Sequence, residues 1–177
     1  MSDELRARNL VGSGALAIVD GLREAITEAA GLEGSGPAAL VALDQYAEGE
    51  GVDTLARALS LSHSGAVRLV DQLVRRGLVV RGPSQRDRRA VVLSLTAAGR
   101  RAAKRVAEAR GRALAEAIAP LSPADREQLG ELLGRVVAAQ TTDREDAKRI
   151  CRLCDGDACG HPHRCPVTQA RLASRPT

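Results

Sequence analysis

The spacing of apolar positions along this chain changes partway through. Up to residue 76 they recur every three or four residues, as on one face of a helix. Between 78 and 95 they gather into short β-branched runs, and beyond 96 the helical spacing returns. Leu55, Ala56 and Leu59 predict a short helix over residues 54–59, with Asp53 or Thr54 as its N-cap. Val52 either starts a very short strand or leads straight into that helix. Ser60, Leu61 and Ser62 make a turn, and Ser62 or His63 opens a longer helix that ends near Arg76, with Gly77 closing it. The inward stripe of this helix is Ala66, Val67, Val70, Leu73 and Val74. Its outward face carries Ser62, His63, Ser64, Arg68 and Arg75. Residues 78–80 and 90–95 then read as two antiparallel strands. The nine-residue link between them, 81–89, holds four arginines, a proline and a glycine.

Helices flank this centre. Leu10, Ala15, Ile18, Leu22, Ala25, Ile26 and Ala29 give a helical pattern over residues 3–30, weakened by Gly12, Gly14 and Gly21. Residues 31–37 are a break, residues 38–48 a second helix, and residues 48–51 a turn. Thr96 is placed to cap a helix running to about Ala119, where Pro120 stops it. Ser122 and Pro123 open another, through Leu129, Leu132, Leu133, Val136 and Val137 towards residue 140 or beyond. The charged run 141–149 either extends that helix or forms a linker, and residues 167–174 form at most two terminal turns. The fold class that follows is mainly α with a small β-hairpin wing: a winged helix-turn-helix with flanking helices.

Composition strengthens the helical reading, because the apolar 44% is almost all Ala, Leu and Val, with one Tyr and no Phe or Trp. Charge sharpens it further. Residues 1–74 hold 5 basic and 11 acidic side chains, a net of −6. Residues 75–112 hold 12 and 2, a net of +10, and residues 113–177 hold 9 of each. A basic excess focused on the hairpin points to a polyanionic partner. No apolar run approaches the ~20 residues needed to span a bilayer, and the polar N-terminus has no signal-peptide core. The expected location is therefore cytoplasmic, with no membrane partner.

These residues carry a resemblance. The helix pair at residues 55–79 and the wing with its exit at 81–100 resemble the MarR family of bacterial transcription regulators, over about residues 5–140. Asp87, Arg88 and Arg89, followed by Leu95, Thr96 and Gly99, are similar to that family's wing signature. The resemblance implies a homodimer on a pseudo-palindromic double-stranded DNA operator, with half-sites about one helical turn apart. It also implies a small-molecule effector, bound between the dimerisation and winged regions. The expected division is residues 1–35, an N-terminal dimerisation helix; 36–99, the DNA-binding winged helix-turn-helix; 100–145, C-terminal dimerisation helices; and 146–177, a cysteine-rich zinc-binding tail. Candidate DNA contacts are Ser62, His63, Ser64 and Arg68 near the start of the recognition helix, where side chains reach base edges. Arg86, Arg88 and Arg89 of the wing lie where the family's wing meets the minor groove. Asp87 braces a wing arginine, since a carboxylate near phosphate is repelled. Tyr46 is expected in the core or a pocket wall.

The tail departs from the common pattern of that family. All four cysteines lie in residues 151–165, spaced Cys-x2-Cys-x4-Cys-x5-Cys, with two of the three histidines among them. In a reducing compartment such a cluster points to metal before disulfide. The preferred reading is a closed, structural Zn2+ site made by Cys151, Cys154, Cys159 and Cys165. The alternatives are a site in which His161 or His163 replaces one thiolate, an iron–sulfur cluster, and a metal-free thiol switch. The resulting function is a sequence-specific DNA-binding regulator, a dimeric repressor released by a ligand, metal or redox signal. Two other readings stand beside it: a winged-helix protein-interaction module, and a thiol oxidoreductase using Cys151 and Cys154. The last lacks the βαβ context that a redox Cys-x2-Cys needs, so the chain is not expected to be an enzyme.

Overall fold

The computed structural model describes residues 2–84 and 89–173. Ser2 caps α1 (Asp3–Ala30), its hydroxyl accepting from the Leu5 amide. The glycines leave α1 unbroken until Gly31, whose φ of 61° provides the left-handed C-cap. α2 (Gly36–Ala42) carries Pro37 in its first turn and widens into a π-helical turn at Leu43–Ala47. α3 (Val52–Ala58) and α4 (His63–Arg75) form the helix-turn-helix. β1 (Val79–Pro83) and β2 (Val91–Leu95) pair antiparallel, Val79 opposite Leu95 and Pro83 opposite Val91. α5 (Ala97–Ala117), α6 (Pro123–Ala139), α7 (Arg144–Ile150) and α8 (Pro166–Ala173) complete the chain.

The core lies where α2, α3, α4, the hairpin and the start of α5 meet. Leu40, Leu43, Leu55, Val70, Leu73, Val79, Leu93 and Ala102 are buried there. A smaller cluster of Ile26, Val41 and Val106 ties α1 to α2 and α5. Several expectations need correction. α3 begins at Val52 behind Gly51, so Asp53 sits in the first turn and neither it nor Thr54 is the cap. On α4 the buried stripe is Ala66, Leu69, Val70 and Leu73, with Val67 and Val74 half-buried. Arg81, Gly82 and Pro83 belong to β1 rather than to the wing loop, which closes where the Ser84 amide donates to the Ala90 carbonyl, 2.9 Å. Pro83 pairs with Val91 one step from the hydrogen-bonded Ser84–Ala90 pair, so its missing N–H faces away from β2 and removes no ladder bond. The charged run after α6 is neither linker nor extension but a separate helix, capped by Asp143, whose carboxylate accepts from the Glu145 and Asp146 amides.

Helix caps were the most legible local signals. Ser122 and Asp125 form a full capping box in front of α6. Thr96 ties three elements together: its hydroxyl accepts from the Gly99 amide at 3.0 Å and donates to the Gly77 carbonyl at 2.7 Å. Thr96→Val keeps the shape and removes both bonds. We expect it to cost about 1–2 kcal/mol, measured as a lower urea midpoint at unchanged slope.

Much apolar surface stays uncovered in the single chain. Ile26 is the only buried residue of α1, and α6 has none. Val11 and Leu16 are 72% and 68% exposed, and Leu132, Leu133 and Val136 about half exposed. Among the described residues no helix is long and apolar enough to cross a membrane.

Candidate nucleic-acid interface and cysteine centre

α4 is amphipathic: its apolar stripe enters the core, and the opposite side presents Ser62, His63, Ser64, Arg68 and Arg75 to solvent. Ser62 is the N-cap, its hydroxyl accepting from the Gly65 amide at 3.1 Å. The Ser64 hydroxyl lies 3.2 Å from that of Ser62. His63 Nδ1 sits 2.7 Å from Asp53 Oδ1 on α3, so Nε2 is the ring nitrogen left for another partner. Residues 64, 68 and 75 repeat with the helical period and form one stripe. That stripe is the size of surface a major groove about 12 Å wide accepts. Arg68 makes no hydrogen bond or ion pair among the described residues, whereas Arg81 is held against Asp71 at 2.6 Å. Arg89 is exposed where the wing returns to β2. Arg86, Asp87 and Arg88 lie outside the described residues.

The tail folds back onto the helix-turn-helix. Glu145 on α7 accepts from Arg57 Nε on α3, 3.0 Å. The Tyr46 hydroxyl donates to the Lys148 carbonyl, 3.1 Å, and the Gly156 amide donates to Gln45 Oε1, 3.4 Å. Leu153, between the first two cysteines, packs against both apolar clusters. Tyr46, expected in the core or a pocket wall, does both: it packs partly buried against the main core and lines a cavity. The docking itself was missed, because these contacts join residues 88 to 111 positions apart.

A cavity of about 550 Å3 opens between tail and helix-turn-helix. Tyr46, Thr54 and Arg57 line one side, Lys148 and all four cysteines the other. All four thiols face this one cavity, and each perturbs its neighbours; Cys154 Sγ itself donates to the Asp155 carbonyl, 3.6 Å. The bond from Cys154 holds Cys151 below its ordinary value. Donating that bond, together with burial, pushes Cys154 strongly up. Burial and the neighbouring charge of Cys154 raise Cys159 to about 12. Burial pushes Cys165 up as well, but bonds from the Thr168 side chain and amide, from Cys159 and from the Val167 amide outweigh it and leave the thiol lowered. Cys165 thus sits at the start of α8, where helix amides favour a thiolate. Burial, then the charge of Cys151, raises Tyr46 to about 12.

Four thiols are the donor chemistry of a closed zinc site. Among the described residues no three His, Cys, Asp or Glu side chains already stand as a ligand cage. All four thiols nevertheless line the same cavity, so the ligands of one tetrahedral site start out on one wall. Charge agrees: four thiolates around Zn2+ leave −2, and the lining carries Arg57, Arg144, Lys148 and Arg171 against Glu50 and Glu145, a surplus of +2. His161 also lines the cavity, with Nδ1 3.0 Å from the Thr168 hydroxyl, whereas His163 is not among the lining residues.

The helix pair α3–α4 followed by the β1–β2 hairpin is a winged helix-turn-helix. Within that class its likeness is to the MarR family, whose family model matches residues 52–90. Among solved structures, RV1404 from Mycobacterium tuberculosis is 26% identical at a TM-score of 0.64, over 78% of this chain and 94% of that one. CouR from Rhodococcus jostii RHA1, bound to p-coumaroyl-CoA, is 27% identical at a TM-score of 0.57, over 72% and 87%. MarR from E. coli, at 22% identity and a TM-score of 0.61 over 72% and 93%, shares the fold. No functionally curated protein matches. A probable transcriptional regulator from Pseudomonas aeruginosa is also similar, 27% identical at a TM-score of 0.55 over 71% of this chain and 96% of that one.

Proposed function

We propose that the chain acts as a homodimeric repressor that reads a pseudo-palindromic duplex with α4 and steadies it with the wing. The observation that carries this reading is the solvent-facing stripe of α4, with Arg68 unpaired among the described residues and the basic hairpin beside it. Ser62, Ser64 and His63 reach backbone and base edges from the N-terminal turn, and Arg68 has the reach and fork geometry for guanine. Arg86, Arg88 and Arg89 add sequence-independent attraction for phosphate. The exposed apolar faces of α1 and α6 support dimerisation, which sets the spacing of the two reading helices.

Zn2+ bound by Cys151, Cys154, Cys159 and Cys165 supplies a cross-link to a tail that has few apolar residues of its own. Release follows from a small-molecule effector or from a change at this centre. The CoA thioester held by CouR supports a small-molecule effector for this chain. The test is duplex binding by the full chain against salt. Affinity is expected to fall steeply, in proportion to the phosphates neutralised. Arg68→Ala should cost about 1–3 kcal/mol for the selected sequence and leave non-matching duplex little changed. Salt-independent binding, or an equal loss on every sequence, would refute the assignment of α4 as the reading helix.

A further inference from the structure

We propose that metal occupancy of the four-cysteine centre sets the DNA affinity of the same protomer, by fixing α7 against α3 and so holding the recognition helix. This rests on the metal reading above and names what that site regulates. A purely structural zinc tail needs only to hold itself together. This one is built into the back of the reading head.

The connection can be followed residue by residue. Cys151 is both a candidate ligand and the C-cap of α7, its amide donating to the Ala147 carbonyl at 2.9 Å. Six residues earlier on that helix, Glu145 holds Arg57 in the last turn of α3. Between Arg57 and the N-cap Ser62 the chain has almost no freedom. The Ser60 amide donates to the Arg57 carbonyl at 3.2 Å, and the Leu61 amide to the Ala56 carbonyl at 2.9 Å. Ser60 itself is at a φ of 54°. Leu55 and Leu59 of α3 share one cluster with Leu69, Val70 and Leu73 of α4. A displacement of α7 therefore reaches α4 through packed and hydrogen-bonded groups, not through a flexible linker.

The tail also has the makings of a two-state element. Between residues 141 and 173 only Thr141, Cys165, Val167 and Thr168 are buried, and one of those is itself a thiol. Such a segment cannot bury enough apolar surface to order itself. Binding of a metal to four thiolates supplies that ordering free energy, so loading and folding are one equilibrium. The loaded tail docks through Glu145, the Lys148 carbonyl and the Gly156 amide. Preorganising α3 and α4 makes the loaded form the tight binder, and the coupling is reciprocal, so duplex must also tighten metal retention.

The experiment uses the full chain, either loaded with zinc or stripped by a chelator under reducing conditions. Three quantities are read: zinc per chain, hydrogen exchange over residues 52–75 without DNA, and affinity for a duplex selected from a random library by the loaded protein. One zinc per chain should slow α3 exchange several-fold and tighten duplex binding by about tenfold or more. The paired variant Tyr46→Phe, Glu145→Gln keeps every thiol. It should still bind one zinc, while α3 exchange and duplex affinity no longer respond to it. Zinc bound with no effect on α3 or on affinity in the wild-type chain would overturn the coupling and leave the metal site standing. A response that survives in the paired variant would overturn the route through α7. Retention of no zinc would overturn the coupling and the metal reading together.

Discussion

Gly99→Ala should unfold the winged region or come close to it. A Cβ at Gly99 would lie 2.0 Å from the Leu78 carbonyl oxygen and 3.0 Å from Leu95 Cδ2. The obstacle is main chain rather than a side chain that can turn aside. The same oxygen accepts from the Thr96 amide at 3.0 Å, so moving it loosens the junction of hairpin and α5. Overpacking of this kind costs about 3 kcal/mol or more, a large share of the ~5–15 kcal/mol that holds a domain together. The helical Gly111, also on α5, meets nothing within 4 Å. Gly111→Ala is the matched control, expected to change stability by less than about 1 kcal/mol. Urea unfolding of both variants checks the prediction; equal midpoints would show that α5 does not seat on Leu78 as described.

The second large effect concerns assembly. Leu133→Glu with Val136→Glu places two carboxylates on a face that is about half exposed in the single chain. If that face were solvent-facing in solution, the change would cost little. On the proposed dimer it buries charge against apolar surface, which is strongly unfavourable. The pair should sediment as a monomer and lose about 10²-fold or more in duplex affinity, because two linked half-site contacts become one. A variant that remains dimeric, with unchanged affinity, would remove α6 from the interface.

How much of this could be read from residues alone depended on the range of the interaction. Local chemistry was legible: Ser62, Thr96 and Ser122 each cap the helix they precede. The Gly77 turn and the two strands also fall where β-branching and turn residues put them. Register was harder. Leu69 was missed from the buried stripe of α4 because Val67 and Val74 complete an equally good helical pattern, and only the partner surface decides which edge of the stripe is covered. Gly82 and Pro83 read as loop, yet pair with Val92 and Val91 because an edge ribbon tolerates them. The π turn at Leu43–Ala47 has no sequence mark that periodicity could detect. For the site, the spacing of the cysteines foretold that they would gather. It carried nothing about where the gathered tail would lie, since Tyr46, Arg57 and Gln45 are ordinary residues until a distant segment meets them.

The length of α1 has a consequence of a different kind. Its 28 residues span about 42 Å at 1.5 Å per residue, yet its one buried side chain, Ile26, lies in its last turns. The N-terminal two-thirds of the helix buries no side chain against its own protomer, whereas most of a helix's stability in a protein comes from packing an apolar face. On the proposed dimer, order there comes from the second chain, which makes folding of this segment a bimolecular event. Its melting temperature should then rise with protein concentration, while that of the winged core stays fixed.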